Sequence, residues 1–382
     1  AGGEGGVPAI RAVRIGAQGE VQVNGSPFLP LMGFYQSVES FRNAPALGLN
    51  GYFMPGAKPP PREYLDALRE QGLYGIVPFD ATAAGHPALL AFVLPHEPDK
   101  AFMNGKADMS PDAIVELAAA VRRAEPGRPV ILDWSPRFMR DPVLNEGLDE
   151  KTRQELYPAY AKAADVLTYN VYPIWGHNRP ERIDWVAEAA DDLKALAGED
   201  RPFFAMIETG RGGRGIPVDE AREVSAAELR SEVWMALIGG ARGIVYFTHR
   251  FVPSFTEFAP DAARQAEIRA INEQITRLAP ALLAPAAKDL AVSMTLADGL
   301  AARCRATRAG DGLYLFAQNI DMGRRGGVAV FTVPGLRPGA EIVVMDEDRT
   351  LVAEEGGRFR DEFGPLAVRI YRLADPARRA AP

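Results

Sequence analysis

The sequence predicts an α/β protein in which a (β/α)8 barrel is followed by a small all-β antiparallel sandwich domain. Eight short apolar runs alternate with longer amphipathic stretches, over roughly the 250 residues that such a barrel occupies. The runs are almost continuously apolar, which is typical of parallel strands buried on both faces. Beyond residue 286 only strand-like runs remain, and this spacing is typical of a sandwich.

The eight apolar runs are the predicted barrel strands. They are residues 28–35, 48–54, 74–79, 89–94, 129–134, 166–171, 203–207 and 243–247. Helical patterns lie between or after them, in segments that begin at Pro61 and Ser110 and in 183–196, 225–238 and 268–278. Ser110 followed by Pro111 is a typical helix start. A doubly wound open sheet would carry a glycine-rich phosphate loop after its first strand. The segment after the first run, which ends at Tyr35, has none.

The segments outside the barrel are predicted to be β-structure. Residues 10–23 form two short strands, and Asn24-Gly25 is a hairpin-turn dipeptide. Pro280 and Pro285 mark the end of the barrel. The later strands are predicted at 290–296, 300–307, 313–319, 327–333, 341–345 and 366–373. The predicted organisation is lead-in strands 1–27, barrel 28–286, sandwich 287–376 and tail 377–382.

Composition excludes several classes of protein. The chain has 382 residues, 47% of them hydrophobic, and a net charge of −7. An acidic chain lacks the basic surface that a nucleic-acid binder needs, and no stretch reaches the ~18 apolar residues of a membrane span. The single cysteine, Cys304, rules out an intramolecular disulfide and is expected to be a packing residue. The glycine-rich start without a methionine leads us to expect an exported protein whose signal segment has been removed.

Two glutamates directly follow predicted barrel strands. Glu97 comes after the fourth run, in Leu94-Pro95-His96-Glu97-Pro98, and Glu208 ends the seventh. The carboxyl ends of barrel strands meet at one mouth, where active sites lie. Either glutamate alone could cap a helix. Together they suit glycoside hydrolysis, in which one carboxyl group protonates the leaving oxygen and the other attacks the anomeric carbon or activates water.

With these residues the chain resembles the large clan of retaining glycoside hydrolases built on (β/α)8 barrels. The resemblance implies that Glu97 is the acid/base and Glu208 the nucleophile. It also implies that a tyrosine after the sixth strand, Tyr172 or Tyr169, hydrogen-bonds the nucleophile. Residues 23–28, residues 232–247 and the last domain look similar to the matching parts of these enzymes. The chain departs from the pattern at His96, where the clan usually has an asparagine that contacts the sugar 2-hydroxyl.

Further residues at the strand ends are predicted to bind a carbohydrate substrate. They are His96, Tyr35, Asp80, Trp134, Asn170, Tyr172, Trp175 and His249. Aromatic rings of this kind can stack on sugar rings. No two of the four histidines have the i, i+4 spacing of a helical metal pair, so we predict no metal and no cofactor. The sequence leaves the oligomeric state open.

The predicted function is hydrolysis of a poly- or oligosaccharide with retention of configuration. Glu97 should then have a raised pKa, and Glu208 should stay ionised. Two alternatives remain open. The first is a carbohydrate-binding barrel without catalysis, to which the unusual His96 points. The second is another barrel enzyme, such as a metal-dependent lyase or isomerase.

Overall fold

A three-stranded antiparallel sheet begins the computed structural model, which describes residues 7–56, 58–100 and 107–377. Its strands are β1 (Val13–Ile15), β2 (Val21–Val23) and β3 (Ser26–Phe28). Asn24 and Gly25 join β2 to β3 with φ values of 54° and 85°, as the predicted hairpin turn requires. The two lead-in strands are therefore confirmed. The glycine-rich start and residues 378–382 of the predicted tail lie outside the described residues.

Eight parallel strands then close into a barrel, and each of them lies at a predicted run. They are β4 (Leu31–Phe34), β5 (Gly51–Phe53), β6 (Tyr74–Pro78), β7 (Leu89–Val93), β8 (Val130–Trp134), β9 (Val166–Asn170), β10 (Phe203–Glu208) and β11 (Ile244–Phe247). The ring closes where β11 pairs with β4, with Ile244 opposite Leu31. The predicted barrel is confirmed, and every strand points its carboxyl end toward one mouth.

Seven helices among the described residues surround the barrel. They are α1 (Ala44–Leu47), α2 (Pro61–Glu70), α3 (Pro111–Ala124), α4 (Glu150–Ala161), α5 (Trp185–Ala197), α6 (Ala226–Gly239) and α7 (Ala262–Leu282). The Ser110 hydroxyl accepts a hydrogen bond from the Ala113 N–H and caps α3 as predicted. Helix α4 was not predicted, because it contains Pro158 and has few apolar residues. Its start is marked by Asp149, whose side chain accepts a hydrogen bond from the Thr152 N–H and caps the helix.

The C-terminal region is all β-structure in two antiparallel sheets, as predicted. Its strands are β12 (Ser293–Leu296), β13 (Ala302–Ala309), β14 (Gly312–Asn319), β15 (Gly327–Thr332), β16 (Glu341–Val344), β17 (Arg349–Val352), β18 (Arg358–Phe363) and β19 (Val368–Ala374). One sheet has the order β12-β15-β18, and the other β13-β14-β19-β16-β17. Strands β17 and β18 were not predicted, because charged residues such as Arg349 and Arg360 obscure the apolar alternation.

The sandwich packs against the helices of the barrel and shares a hydrophobic core with them. The fully buried rings of Trp234 on α6 and Phe316 on β14 stack with centroids 6.0 Å apart. The Gln318 side-chain amide donates to the Ser231 hydroxyl at 2.8 Å. Among the described residues, none of the helices combines the length and apolar character needed to cross a membrane.

Phe316→Ala should lower the free energy of unfolding by about 3–5 kcal/mol, because it leaves a cavity in this shared core. Urea unfolding measures the loss. Val352→Ala, at a side chain that is 61% exposed, is the control and should change stability by less than about 0.5 kcal/mol. A Phe316→Ala loss no larger than that of the control would contradict a shared core.

Candidate active site

Glu97 lies at the barrel mouth just after β7, in an unusual backbone conformation. Its φ is 48°, in the left-handed region that costs a residue with a Cβ about 1–2 kcal/mol. The strain is local, because Glu97 begins a turn in which its carbonyl accepts from the Lys100 N–H at 3.0 Å. Non-glycine residues held in such conformations cluster at functional sites. The side chain is 14% exposed and therefore reaches solvent.

Asn170, at the end of β9, holds one oxygen of this carboxylate. Its Nδ2 donates to Glu97 Oε1 at 2.8 Å and lies 3.4 Å from Asp133 Oδ2. The other oxygen, Oε2, lies 3.2 Å from Lys100 Nζ and 3.9 Å from His96 Nε2. Three consecutive barrel strands therefore bring Glu97, Asn170, Asp133 and His96 into one polar cluster. Glu97, Asn170 and His96 are predicted site residues.

His96 lies against a buried carboxylate. Its Nδ1 is 2.5 Å from Oδ2 of Asp133, which ends β8 with no exposed surface. The other Asp133 oxygen accepts from the Thr168 hydroxyl at 2.8 Å. The hydrogen bond to Asp133 holds the imidazole ring in place, and 37% of the His96 side chain remains exposed to the mouth.

The charge on His96 follows from this pairing. Burial lowers the pKa of His96, but the charge of Asp133 and the hydrogen bond to it outweigh burial and raise the pKa above its ordinary value. Burial also raises the pKa of Asp133, so the two groups share a proton. A raised pKa favours the protonated, hydrogen-bond-donating form of His96, at a position where the clan usually has a neutral asparagine.

Glu208, the other predicted catalytic residue, ends β10 as expected but has no exposed surface. Its Oε1 accepts from the Ile174 N–H at 2.8 Å, and its Oε2 accepts from the Trp175 N–H at 2.6 Å. The loop after β9 therefore covers this carboxylate. The loop after β10 packs against this covering loop at Gly213. A Cβ on Gly213 would lie 1.8 Å from the Trp175 carbonyl oxygen, so glycine is required at this position.

A second buried carboxyl group, Glu232 on α6, interacts with Glu208. Burial raises the pKa of both groups above their ordinary values, and more strongly for Glu232. Glu208 accepts two backbone hydrogen bonds that favour its ionised form, whereas the Glu232 oxygens have no fixed donor among the described residues. We therefore place the shared proton on Glu232. The predicted ionisation of Glu208 then holds only above its own raised pKa.

Tyr172 lies near enough to both predicted catalytic residues for their charges to affect its pKa. Burial raises the pKa of Tyr172, and the charges of Asp133, Glu97 and Glu208 act in the same direction. Its hydroxyl donates to the Met206 sulfur at 3.8 Å rather than to Glu208. Tyr169 lies elsewhere, because its hydroxyl donates to the Val186 carbonyl in the buried layer between β9 and α5. Neither tyrosine makes the expected hydrogen bond to Glu208.

Aromatic side chains form one wall of the mouth. Tyr35, directly after β4, is 43% exposed and can meet a ligand. His249 is buried, and its Nε2 lies 2.9 Å from the Tyr35 carbonyl oxygen. The Trp175 Nε1 donates to the His249 carbonyl at 3.0 Å, and its ring packs on Phe247 at 4.7 Å. Trp175 and His249 therefore support the wall, and Tyr35 contributes an accessible ring to it.

Two predicted substrate-binding residues lie outside this cluster. Trp134 has no exposed surface and packs on Phe138 and Tyr157 in the layer between strands and helices. Side chains alternate along a strand, so the inward position belongs to its neighbour Asp133. The predicted substrate contact of Trp134 is contradicted by this burial. Asp80 caps the turn after β6, where it accepts from the Thr82 N–H at 2.7 Å.

His96, Glu97 and Asp133 are also the described residues that could approach a metal ion together, with one ligand atom from each within 4.8 Å of the others. Two contacts compete with that use. The His96 Nδ1 already faces Asp133 at 2.5 Å, and the Lys100 ammonium group lies 3.2 Å from Glu97. The arrangement suits proton transfer better than metal ligation.

Lys100 and Glu232 had no predicted role. Lys100 lies three residues after Glu97, and the turn that brings them together is not a regular element. Glu232 could have been recognised as unusual, because it is a charged residue within a helical segment whose residues 231–239 are all buried. An ionisable group in such a segment needs a partner.

Comparisons with known proteins support the fold. No protein-family model matches the sequence, and no curated protein is significantly similar to it. The chain is similar to AmyP in complex with maltose, with a TM-score of 0.54 and 9% identity over 90% of this chain and 92% of that one. An α-amylase from Geobacillus thermoleovorans has a TM-score of 0.45 and 11% identity, over 88% and 91% of the two chains.

A GH2 β-galacturonidase from Eisenbergiella tayi has a TM-score of 0.47 and 14% identity over 69% of this chain. The chain spans about half of that longer protein, since the match covers 54% of it. The similar solved structures thus include glycoside hydrolases. At these identities the likeness establishes the fold alone.

Asp133→Asn should lower the pKa of His96, because burial then acts without the opposing carboxylate charge. An NMR titration of the histidine ring resonances measures this pKa. Asp149→Asn, at the exposed cap of α4, is the matched control and should leave it unchanged. An unaltered His96 titration in Asp133→Asn would show that the pair does not share a proton.

Glu232→Gln should flatten the pH dependence of stability. Because the folded-state pKa of Glu232 lies well above its usual 4.5, the folded protein binds an extra proton between these two values. The free energy of unfolding therefore falls as pH rises through that window, by about 1.4 kcal/mol per pH unit for one proton. Urea unfolding at a series of pH values above 4.5 should show a decline that is shallower by that amount in Glu232→Gln than in the wild type.

Glu228→Gln on the same helix is the control for this measurement. Burial opposes ionisation of Glu228, but Arg222 and Ser225 outweigh it and lower the pKa of Glu228. Glu228 therefore binds no extra proton in this range, and its substitution should shift the curve without changing the slope. Equal slopes in Glu232→Gln and the wild type would contradict the shared proton.

Proposed function

We propose that the protein is a glycoside hydrolase that cleaves a poly- or oligosaccharide, with Glu97 as general acid and base. The observation that carries the proposal is the polar cluster at the mouth. Glu97 projects into solvent from a strained turn, with one oxygen bonded to Asn170 and the other beside His96. An acid held in this way can meet a glycosidic oxygen in a defined orientation.

In the first step of the proposed reaction, Glu97 donates its proton to the leaving-group oxygen as the bond from that oxygen to the anomeric carbon breaks. Asn170 holds Oε1 and the exposed Lys100 side chain bonds to Oε2, so Oε2 serves the substrate once Lys100 has moved away. In the second step, Glu97 takes a proton from the water that attacks the same carbon, and the bond between that carbon and the Glu208 carboxylate breaks. The protonated His96 donates a hydrogen bond to a sugar hydroxyl, and the exposed ring of Tyr35 stacks on a sugar face.

The proposed nucleophile is Glu208, which would form the covalent bond to the anomeric carbon in a retaining mechanism. Two features support this role. Glu208 ends the seventh barrel strand, and its oxygens are oriented by two backbone N–H groups while Glu232 holds the shared proton. Its burial adds a requirement, because the 172–176 loop must move or the side chain must rotate before attack. Substrate binding at the aromatic wall would supply that motion.

The enzyme is a better proposal than a sugar-binding barrel without catalysis. A binding protein needs hydroxyl partners and stacking rings but gains nothing from a strained, solvent-accessible carboxyl group. The His96 substitution that suggested lost catalysis places a second proton donor beside Glu97 instead of removing one.

Glu97→Gln should lower kcat by about 10²–10⁴-fold, the usual contribution of a general acid or base. The assay uses 4-methylumbelliferyl and nitrophenyl glycosides of both anomeric configurations, together with neutral oligosaccharides. The loss should be larger for oligosaccharides, whose leaving groups need protonation, than for nitrophenyl glycosides. Glu116→Gln, on the exposed face of α3, is the control. Full activity of Glu97→Gln toward oligosaccharides would sink the assignment.

A 2-deoxy-2-fluoro glycoside of the preferred sugar should trap a covalent glycosyl-enzyme, and peptide mass spectrometry should locate the label on Glu208. Proton NMR of the first product should show retained anomeric configuration. Attachment to another carboxylate such as Asp133, or an inverted product, would overturn the role of Glu208 while leaving that of Glu97 intact. Glu208→Gln, checked for folding by its urea unfolding curve, should give no label.

A further inference from the structure

A polar cavity lies at the edge of the barrel opposite the mouth. Its volume is about 540 Å³, and three parts of the chain enclose it. The turn between β1 and β2 contributes Gln18, and the barrel contributes the start of β10 at Phe203 and the end of α6 at Gly239. The sandwich contributes β13 through Arg305. Because Phe203 begins the strand that Glu208 ends, this cavity is separate from the proposed active site.

The lining of the cavity is strongly basic, although the chain as a whole has a net charge of −7. Two acidic residues, Glu199 and Asp200, line it together with five basic ones. The basic residues are Lys194, Arg201, Arg242, Lys288 and Arg305. Lys288 is paired with Asp200 at 2.8 Å. Lys194 lies 3.9 Å from Asp191, so the remaining positive charge is concentrated on the arginines.

Arg242 and Arg305 have no carboxylate partner within ion-pair distance among residues 7–56, 58–100 and 107–377. Arg242 is only 9% exposed, and its NH1 donates to the Leu282 carbonyl at 2.9 Å. Arg305 NH1 donates to the Leu237 carbonyl at 3.0 Å. Each guanidinium group has five N–H donors, so most of them are left for the cavity.

The two guanidinium groups repel each other. Burial lowers the pKa of Arg305 to about 9, and the charge of Arg242 acts in the same direction. Glu20 favours the charged form of Arg242, but its own oxygens accept from Gln22 and from the Gln18 N–H. Both arginines line the same cavity, and two cations that disfavour each other's charge in a partly buried space are stabilised when an anion binds beside both of them.

We propose that this cavity binds a small multivalent oxyanion, a phosphate or sulfate group, between Arg242 and Arg305. Guanidinium groups form paired hydrogen bonds to such oxygens, which a lysine cannot match. The carbonyls of Leu237 and Leu282 hold each guanidinium by one nitrogen and leave the others free for the anion. The cavity also has room for a sugar that carries the group, so the anion is either free in solution or part of a sugar phosphate.

Isothermal titration calorimetry of the full chain tests the proposal. The ligands are inorganic phosphate, sulfate and glucose 6-phosphate, and chloride holds the ionic strength constant. We expect wild-type protein to bind at least one of them. Arg305→Gln and Arg242→Gln should each weaken binding by about tenfold or more, the typical effect of losing a charge-assisted hydrogen bond. Tighter binding of the sugar phosphate than of phosphate would identify the sugar-borne group, and equal binding the free anion.

Arg303→Gln is the matched control, because Arg303 lies two residues earlier on β13 and pairs with Asp191 outside the cavity. Its affinity should equal that of the wild type. Arg305→Lys keeps the charge but removes the paired donors, so it should also bind more weakly even if Arg305→Gln fails to fold. Absence of wild-type binding, or equal affinity in Arg303→Gln and Arg305→Lys, would overturn the proposal.

Discussion

The pairing of β11 with β4 is the interaction on which the rest of the structure depends. It closes the parallel sheet into a ring and brings together parts of the chain that are distant in sequence. At the mouth, the Gln36 side-chain amide donates to the Thr248 hydroxyl, 212 residues away, at 2.8 Å. Because every neighbouring pair in the ring is parallel, all eight carboxyl ends lie on one side. The mouth cluster of His96, Glu97 and Asn170 exists because three neighbouring strands end there at the same height.

The sequence was sufficient for the barrel strands but not for the direction in which each strand-end residue points. Continuous apolar runs reveal strands buried on both faces, yet such a run does not show which of its residues face inward. Asp133 and the adjacent Trp134 illustrate the difficulty, since one enters the mouth cluster and the other packs under the helices. Strands β17 and β18 escaped prediction for the opposite reason, because charged side chains conceal their alternation.

The candidate site combines two ways of holding ionisable groups inside a protein. His96 and Asp133 are hydrogen-bonded, and each favours the charged form of the other, since Asp133 raises the pKa of His96 and His96 acts to lower that of Asp133. Glu208 and Glu232 would have like charges, so burial permits them only one negative charge between them. The first pair joins neighbouring strands and the second joins a strand to a helix. Neither pairing can be inferred from local sequence, because each depends on how the barrel packs.

The left-handed backbone of Glu97 has a consequence for how this protein would respond to selection. Glycine or asparagine adopts that conformation at a lower energetic cost than glutamate does. A library selected for thermal stability alone would therefore tend to replace Glu97, and it would lose the carboxyl group in the course of improving the fold. A glutamate that persists at such a position among related sequences would mark a site where chemistry has outweighed stability.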